Sequence, residues 1–185
     1  KIEHKCIILG SSWRKEENLV AEIVDEIENV NWIIAPHEIN QKKLKQLQSR
    51  FNVSCSLFSK LDLNKTIPKI LIIDQIGLLA SLYSFSDIAF IGGGFSGQLH
   101  NILEAGAKGN VILFGPKTDK YVEAELMCKE KVGYKIKDSS DLKNVVLDLL
   151  SNKKELKIKQ KRVIEIINNK KGATKIIWDE VKKLV

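Results

Sequence analysis

Three consecutive glycines lie close to the hydrogen-bonding side chains of His100, Asn101 and Glu104 in the stretch GGGFSGQLHNILEAG, residues 92–106. His100, Asn101 and Glu104 have the spacing that places them on one face of a helix, which we predict over about 100–108. Gly93 and Gly94 precede that helix, where free backbone amides and the helix dipole attract anions. The Glu104 carboxylate can accept hydrogen bonds from ribose or sugar hydroxyls. The pattern predicts a site for the phosphate of a nucleotide-sugar, and a tight turn without a ligand is the alternative.

The segment GSSWRKEE (10–17) follows the first apolar run of the chain. Ser11 or Ser12 is expected to cap the next helix, with Glu16 or Glu17 in its first turn. A further part in ligand binding is expected because the loop should share a rim with the glycine run.

His37 lies in the segment APHE (35–38), at the end of a predicted strand, and a Pro-fixed turn, FGPKTDKY (114–121), follows a later apolar run. The histidine is predicted either to be structural or to contact a donor molecule or its phosphate. The turn is expected to form a wall of the site. The glycine run lacks the Lys-Ser/Thr pair of the P-loop, which excludes that nucleotide-binding motif.

Short apolar runs rich in Ile, Val and Leu alternate with helical patterns along the chain, as in a doubly wound parallel sheet covered on both faces. The predicted strands are 5–10, 32–36, 53–58, 69–74, 88–93, 111–115 and 133–138. The predicted helices are about 16–29, 39–51, 76–85, 100–108, 119–131, 139–151, 154–169 and 173–184. Ligands of such sheets bind at the carboxyl ends of the strands, where the polar loops named above should meet. We therefore predict one α/β, Rossmann-like domain over 1–185, with a helical tail from about 139.

The 185 residues include 44% apolar and 29% charged residues, which is typical of a globular protein with a core of its own. Three widely spaced cysteines, Cys6, Cys55 and Cys128, favour a reducing compartment over a disulfide framework or a zinc site. No apolar run approaches the roughly 20 residues that span a bilayer. The chain begins with Lys close to a predicted strand, so we expect it to be part of a longer protein.

The net charge of +7 is concentrated in 153–183, where 11 Lys and Arg face 4 Asp and Glu. Such a surface suits an anionic membrane or a nucleic acid, and a solvated helix face is the alternative. Aromatic residues that could stack on bases do not alternate with these lysines, so we predict no nucleic-acid partner.

In order along the chain, these motifs resemble the C-terminal half of the 3-deoxy-D-manno-octulosonic acid (Kdo) transferases, which are GT-B glycosyltransferases. The resemblance covers about 6–150. It is carried by GSSWRKEE, IIAPHE, DQIGLLASLYSFSDIAFIGGGF (74–95) and HNILEAGAKGNVILFGP (100–116). Of these, HN-x-LE-A followed by V-I-x-FGP is the most specific.

The resemblance implies that the chain binds CMP-Kdo as the donor half of an enzyme that adds Kdo to a lipid A precursor in lipopolysaccharide biosynthesis. The family's donor contacts fall on Gly93, Gly94, Asn101 and Glu104, with His100, Ser11, Ser12 and His37 nearby. His37 stands where the family commonly has Arg.

The resemblance implies that the catalytic carboxylate, the acceptor surface and the membrane anchor belong to an N-terminal half, which we expect to be absent from this chain. The implied reaction needs no metal, and the implied location is the cytoplasmic face of the bacterial inner membrane. The isolated chain is expected to bind the donor without turnover.

Two other functions remain open from the residues. The chain could be the second half of another GT-B glycosyltransferase or of a UDP-sugar epimerase, which the base and the sugar would distinguish. It could also be a non-catalytic nucleotide-binding or interaction module, which would show no response to any nucleotide.

Overall fold

A computed structural model describes residues 5–62, 64–169 and 178–183. Seven parallel strands form one sheet in the order β3-β4-β2-β1-β5-β6-β7. The strands are β1 (Lys5–Ser12), β2 (Val30–Pro36), β3 (Cys55–Leu57), β4 (Ile70–Ile72), β5 (Ile88–Ile91), β6 (Val111–Phe114) and β7 (Gly133–Lys135). The helices are α1 (Arg14–Ile23), α2 (Gln41–Gln48), α3 (Leu79–Leu82), α4 (Leu103–Ala107), α5 (Val122–Lys129), α6 (Ser139–Ser151) and α7 (Lys153–Asn169). The predicted doubly wound parallel sheet is confirmed, with each predicted strand present.

Apolar residues fill both faces of the sheet, which is why the strands have continuous apolar sequences rather than alternating ones. Ile7 and Leu9 point to a core beneath α1, α2 and α6, whereas Ile8 points to a second core beneath α4, α5 and α7. In α7, Leu156 packs in the first core and Val163 in the second. The helices after residue 139 therefore complete the core on both faces of the sheet.

The expected final helix, 173–184, lies largely outside the described residues. Within its described part, 178–181 are helical, and Trp178 and Val181 are exposed. In the sequence, Ala173, Ile177, Val181 and Leu184 form one apolar stripe, which predicts that this helix packs against an N-terminal half; that stays a prediction.

The chain's own backbone explains the three consecutive glycines. A Cβ on Gly92 would lie 2.1 Å from the carbonyl oxygen of Ser11, and one on Gly94 would lie 2.5 Å from the backbone nitrogen of Gly115. Gly93 has φ +89°, and a Cβ there would lie 2.0 Å from the carbonyl oxygen of Gln98. The turn is thus packed between the ends of β1 and β6, and a ligand is not needed to account for its composition.

Comparing Gly93→Ala with Gly97→Ala tests this packing, because both glycines have positive φ but only Gly93 has backbone within 3 Å of the added Cβ. We expect Gly97→Ala to lower the free energy of unfolding by about 1–2 kcal/mol through its backbone conformation alone. Gly93→Ala should cost about 1–3 kcal/mol more, as overpacking does. Urea unfolding of the two variants measures the difference, and equal losses would contradict the close-packed turn.

Candidate functional site

Glu17 binds the serine at the end of β1, and neither serine there caps the following helix. Ser12 is buried and its Oγ donates to Glu17 Oε1 at 3.1 Å, while Glu17 also pairs with Arg50. Ser11 has φ +50° at a point where the β1–β2 register shifts, so it forms a bulge. The residue before α1 is Trp13, so the prediction that Ser11 or Ser12 caps this helix is wrong. Both serines instead shape the strand end.

Glu16 is the buried carboxylate that ties α1 to the glycine turn. It is 1% exposed, and its Oε1 accepts the Gly93 N–H at 2.9 Å while its Oε2 accepts the Trp13 N–H at 3.2 Å. Burial raises the pKa of Glu16, although its backbone hydrogen bonds act in the opposite direction. The sequence suggested a first-turn capping role for Glu16 or Glu17. It gave no sign of the bond to Gly93, which is 77 residues away.

Several amides of the turn are occupied within the protein. The Gly92 N–H donates to the Gly10 carbonyl at 2.9 Å and the His100 N–H to the Gly92 carbonyl at 3.1 Å. With the Gly93 N–H bound to Glu16, the predicted row of open amides is wrong for these positions. Among the described residues, the structure gives no acceptor for the backbone N–H groups of Asn101 and Ile102.

Helix α4 begins at Leu103, not at about residue 100, and has five residues. Asn101 Oδ1 accepts the Leu103 N–H at 2.9 Å, and Asn101 Nδ2 donates to Glu104 Oε1 at 3.0 Å. The asparagine side chain thus replaces a helical turn at this point. A helix this short adds little dipole, so the predicted dipole contribution to anion binding is small here. Asn101 and Glu104 are nevertheless exposed together, and hydroxyl groups of a ligand can reach both.

The side chains of His37, His100 and Trp13 lie close together at the rim. Trp13 Nε1 lies 3.2 Å from His100 Nε2, and the two rings are 13° from parallel with centroids 6.4 Å apart. His37 has its centroid 4.4 Å from that of Trp13 and 4.6 Å from that of His100. The indole and the His100 imidazole therefore lie edge to edge, and His37 stacks on the indole while its ring is tilted by 32° from that of His100. Burial, and then His37, lower the pKa of His100.

Trp13 was missed as a site residue by sequence analysis. In the sequence, Trp13 was only an aromatic residue between Ser12 and the next helix, in a loop that was expected at the rim. Only the fold shows that the loops after β1, β2 and β5 bring Trp13, His37 and His100 together.

Two cavities adjoin His37. One, of about 250 Å³, lies between the start of α1 and α2 and carries charged residues on its walls. The charged residues are Arg14, Glu17, Glu38, Lys43 and Arg50. The other, of about 200 Å³, lies between the ends of β2 and β4, and its walls include Pro36, Ile73, Ile76 and Leu79. A polar and an apolar recess thus flank one imidazole.

The predicted site wall packs directly on the glycine turn. Lys117 N–H donates to the Gly94 carbonyl at 2.8 Å, and Thr118 is fully buried. In the part of the chain that the structure describes, no group of three or more His, Cys, Asp or Glu residues is arranged to hold a metal ion. Nor does any helix among those residues have the length and apolar character needed to cross a bilayer.

Comparison with known proteins agrees with this architecture. The chain is 29% identical over 168 residues to the 3-deoxy-D-manno-octulosonic acid transferase of Aquifex aeolicus, covering 87% of this chain and 46% of that protein. It is also 29% identical over 187 residues to the enzyme of that name from Chlamydia muridarum, covering 98% of this chain and 43% of the relative. The chain thus spans less than half the length of these curated relatives. No protein-family model matches it.

Among solved structures, the fold matches the C-terminal CMP-Kdo binding domain of WaaA from Acinetobacter baumannii. The TM-score is 0.72 at 17% identity, and the match covers 88% of this chain and 91% of that domain. The chain therefore has the Rossmann-like fold of one half of a GT-B glycosyltransferase. Its resemblance to the Kdo transferases, predicted from the motifs, is confirmed.

The raised pKa of Glu16 makes stability depend on pH in a defined direction. The folded state retains a proton on Glu16 at pH values where the unfolded chain has lost it. The stabilisation is therefore full below the ordinary glutamate pKa and is lost as pH rises through the raised value. We expect wild type to lose stability relative to Glu16→Gln as pH rises from about 4.3. Urea unfolding of both proteins between pH 4 and 7 measures this, and a constant difference would contradict it.

Proposed function

We propose that this chain is the donor-binding half of a Kdo transferase and that it binds CMP-Kdo at the rim formed by the loops after β1, β2 and β5. The observation that carries the proposal is the exposed, mutually bonded pair Asn101–Glu104 beside the unoccupied amides of Asn101 and Ile102. The sequence similarity to Kdo transferases supports the choice of nucleotide and sugar.

In this proposal, the phosphate of CMP lies against the Asn101 and Ile102 amides and His100, and the ribose hydroxyls bond to Glu104. Gly93 acts by letting the turn pack against the strand ends, and Gly94 contacts the donor, as the resemblance to the Kdo transferases implies. The apolar recess bounded by Pro36 and Ile76 accepts the flat face of the base. Ser11 and Ser12 support the site through the backbone.

The donor breaks at the bond between the sugar and the phosphate, so negative charge grows on CMP while the sugar carbon becomes electron-poor. Backbone amides and histidine near the phosphate stabilise that charge. A general base that takes the proton of the acceptor hydroxyl would come from an N-terminal half. These roles need no metal, and we propose a metal-independent reaction.

The whole enzyme would transfer Kdo to a lipid A precursor in lipopolysaccharide biosynthesis. Its partners would be an N-terminal GT-B domain and the cytoplasmic face of the bacterial inner membrane. The basic excess in 153–183 supports the membrane assignment, because cytoplasmic leaflets carry anionic lipids. We propose no nucleic-acid partner.

We expect CMP to bind more tightly than UMP or UDP and to shift backbone amides between Gly93 and Glu104. Glu104→Ala should weaken CMP binding by about 1–3 kcal/mol, as loss of a hydrogen bond to a charged group does. Glu123→Ala, which removes a glutamate from the first turn of α5, is the matched control and should leave affinity unchanged. Amide-shift titrations measure both variants.

Equal affinity of wild type and Glu104→Ala would sink the ribose assignment. A preference for UMP or UDP would favour another GT-B glycosyltransferase or a UDP-sugar epimerase. No response to any of the three nucleotides would favour a non-catalytic interaction module.

We also expect residues 1–185 alone to transfer no Kdo from CMP-Kdo to a lipid A precursor. Activity should return when an N-terminal half of a relative is supplied as a fusion. The assay is mass spectrometry of the acceptor, with the full-length relative as positive control. Transfer by this chain alone would refute the assignment of the general base to the other half.

A further inference from the structure

Trp13, His37 and His100 form a ring group. The direction of the hydrogen bond between Trp13 and His100 determines where His100 carries its proton. An indole Nε1–H can only donate, so His100 Nε2, 3.2 Å away, must accept and cannot carry a proton. Neutral His100 then carries its proton on Nδ1. If His100 became an imidazolium, its Nε2–H would face the indole N–H and the bond would be lost.

His37 has the opposite surroundings. It is exposed, and its ring stacks on the indole face with the centroids 4.4 Å apart. Its ring centroid is 4.6 Å from that of His100, with the rings tilted by 32°, so the two imidazoles cannot both be charged without repulsion. The two histidines can therefore carry one positive charge between them, and the geometry favours His37 as the residue that carries it.

The charged groups around His37 include the adjacent Glu38, whose carboxylate interacts with the charge of His37. In the cavity beside His37, Glu17 pairs with Arg50 and Glu38 pairs with Lys43. Arg14 adds a further cation to the same walls.

On the side of His100, the carboxylate of Glu104 accepts a bond from Asn101, and that of Glu16 is buried against the glycine turn. An arriving anion would therefore find a histidine pair whose nearby carboxylates are already bonded.

We propose that Trp13 is a positioning residue that holds His100 as a neutral Nδ1–H donor, and that His37 takes up one proton from solvent when a phosphate ester binds. This inference rests on the proposed function for its ligand. It gives His37 the part of a cation whose charge depends on pH. Affinity should be higher on the acid side, where histidine is charged, and should fall as the proton is lost.

The first arm of the test needs no ligand. Nitrogen-15 spectra of the histidine side chains should show His100 with Nε2 unprotonated at pH 7. Trp13→Phe keeps a ring beside His37 but removes the N–H donor, and it should let His100 adopt the Nε2–H form and gain a proton at higher pH. A wild-type His100 protonated on Nε2 at pH 7, or a Trp13→Phe variant with an unchanged His100 titration, would overturn the proposal.

The second arm measures the dissociation constant of CMP at pH 6 and pH 8. A charge pair about 4 Å apart in water contributes about 1 kcal/mol. The wild-type constant should therefore rise about fivefold more than that of His37→Gln over this range. The phosphate of CMP titrates alike in both proteins, so the comparison cancels it. The control is His4→Gln, which changes the remaining histidine of the chain. His4 lies outside the described residues, and this variant should behave as wild type.

The same pH dependence in wild type and His37→Gln would overturn the proton uptake. If CMP shifts no amide of the glycine turn, the proposed function fails, and inorganic phosphate replaces CMP in the second arm. Phosphate affinity that falls with pH only when His37 is present would then support the ring group as an anion site, and its absence would overturn it.

Discussion

The hydrogen bond from the Gly93 N–H to the buried Glu16 carboxylate is the interaction on which the arrangement of the rim depends. A hydrogen bond in a dry environment is stronger than one in water, and an unpaired polar group there would be costly. Since the other oxygen of Glu16 holds the Trp13 backbone, one side chain fixes both the glycine turn and the entry to α1. The positions of the indole and of His100 follow from that constraint.

Much of the fold could be predicted because the strands are buried on both faces and so have continuous apolar sequences. The start of α4 could not, because it depends on whether the Asn101 side chain or a helical turn satisfies the Leu103 N–H. These two arrangements differ by one hydrogen bond, and helix periodicity does not distinguish them. The serines of β1 present the same difficulty, since Glu17 competes for the hydroxyl of Ser12.

The candidate site was predictable in its location but not in its bonding. Polar residues after successive strands must meet at one edge of a parallel sheet, which brought His37 and His100 to the same rim. Which amides face a ligand depends on contacts between distant segments, and the Gly92–Ser11 and Gly94–Gly115 approaches lie about 80 and 20 residues apart in the chain. The glycine-rich sequence therefore reflects close packing of the turn, and the turn packs against the backbone of the protein itself.

The distribution of charge bears on how such a rim can hold an anion. Within the described residues, the positive charges of 153–169 lie on α7 and not on the loops that carry the rim. Surface charges more than about 8 Å away are largely screened at physiological ionic strength. Near His37, the pairs Glu17–Arg50 and Glu38–Lys43 each cancel a cation. In the proposed function, local recognition of an anion depends on amides, on the cations Arg14 and Lys15 and on the proton of His37, which the net charge does not report.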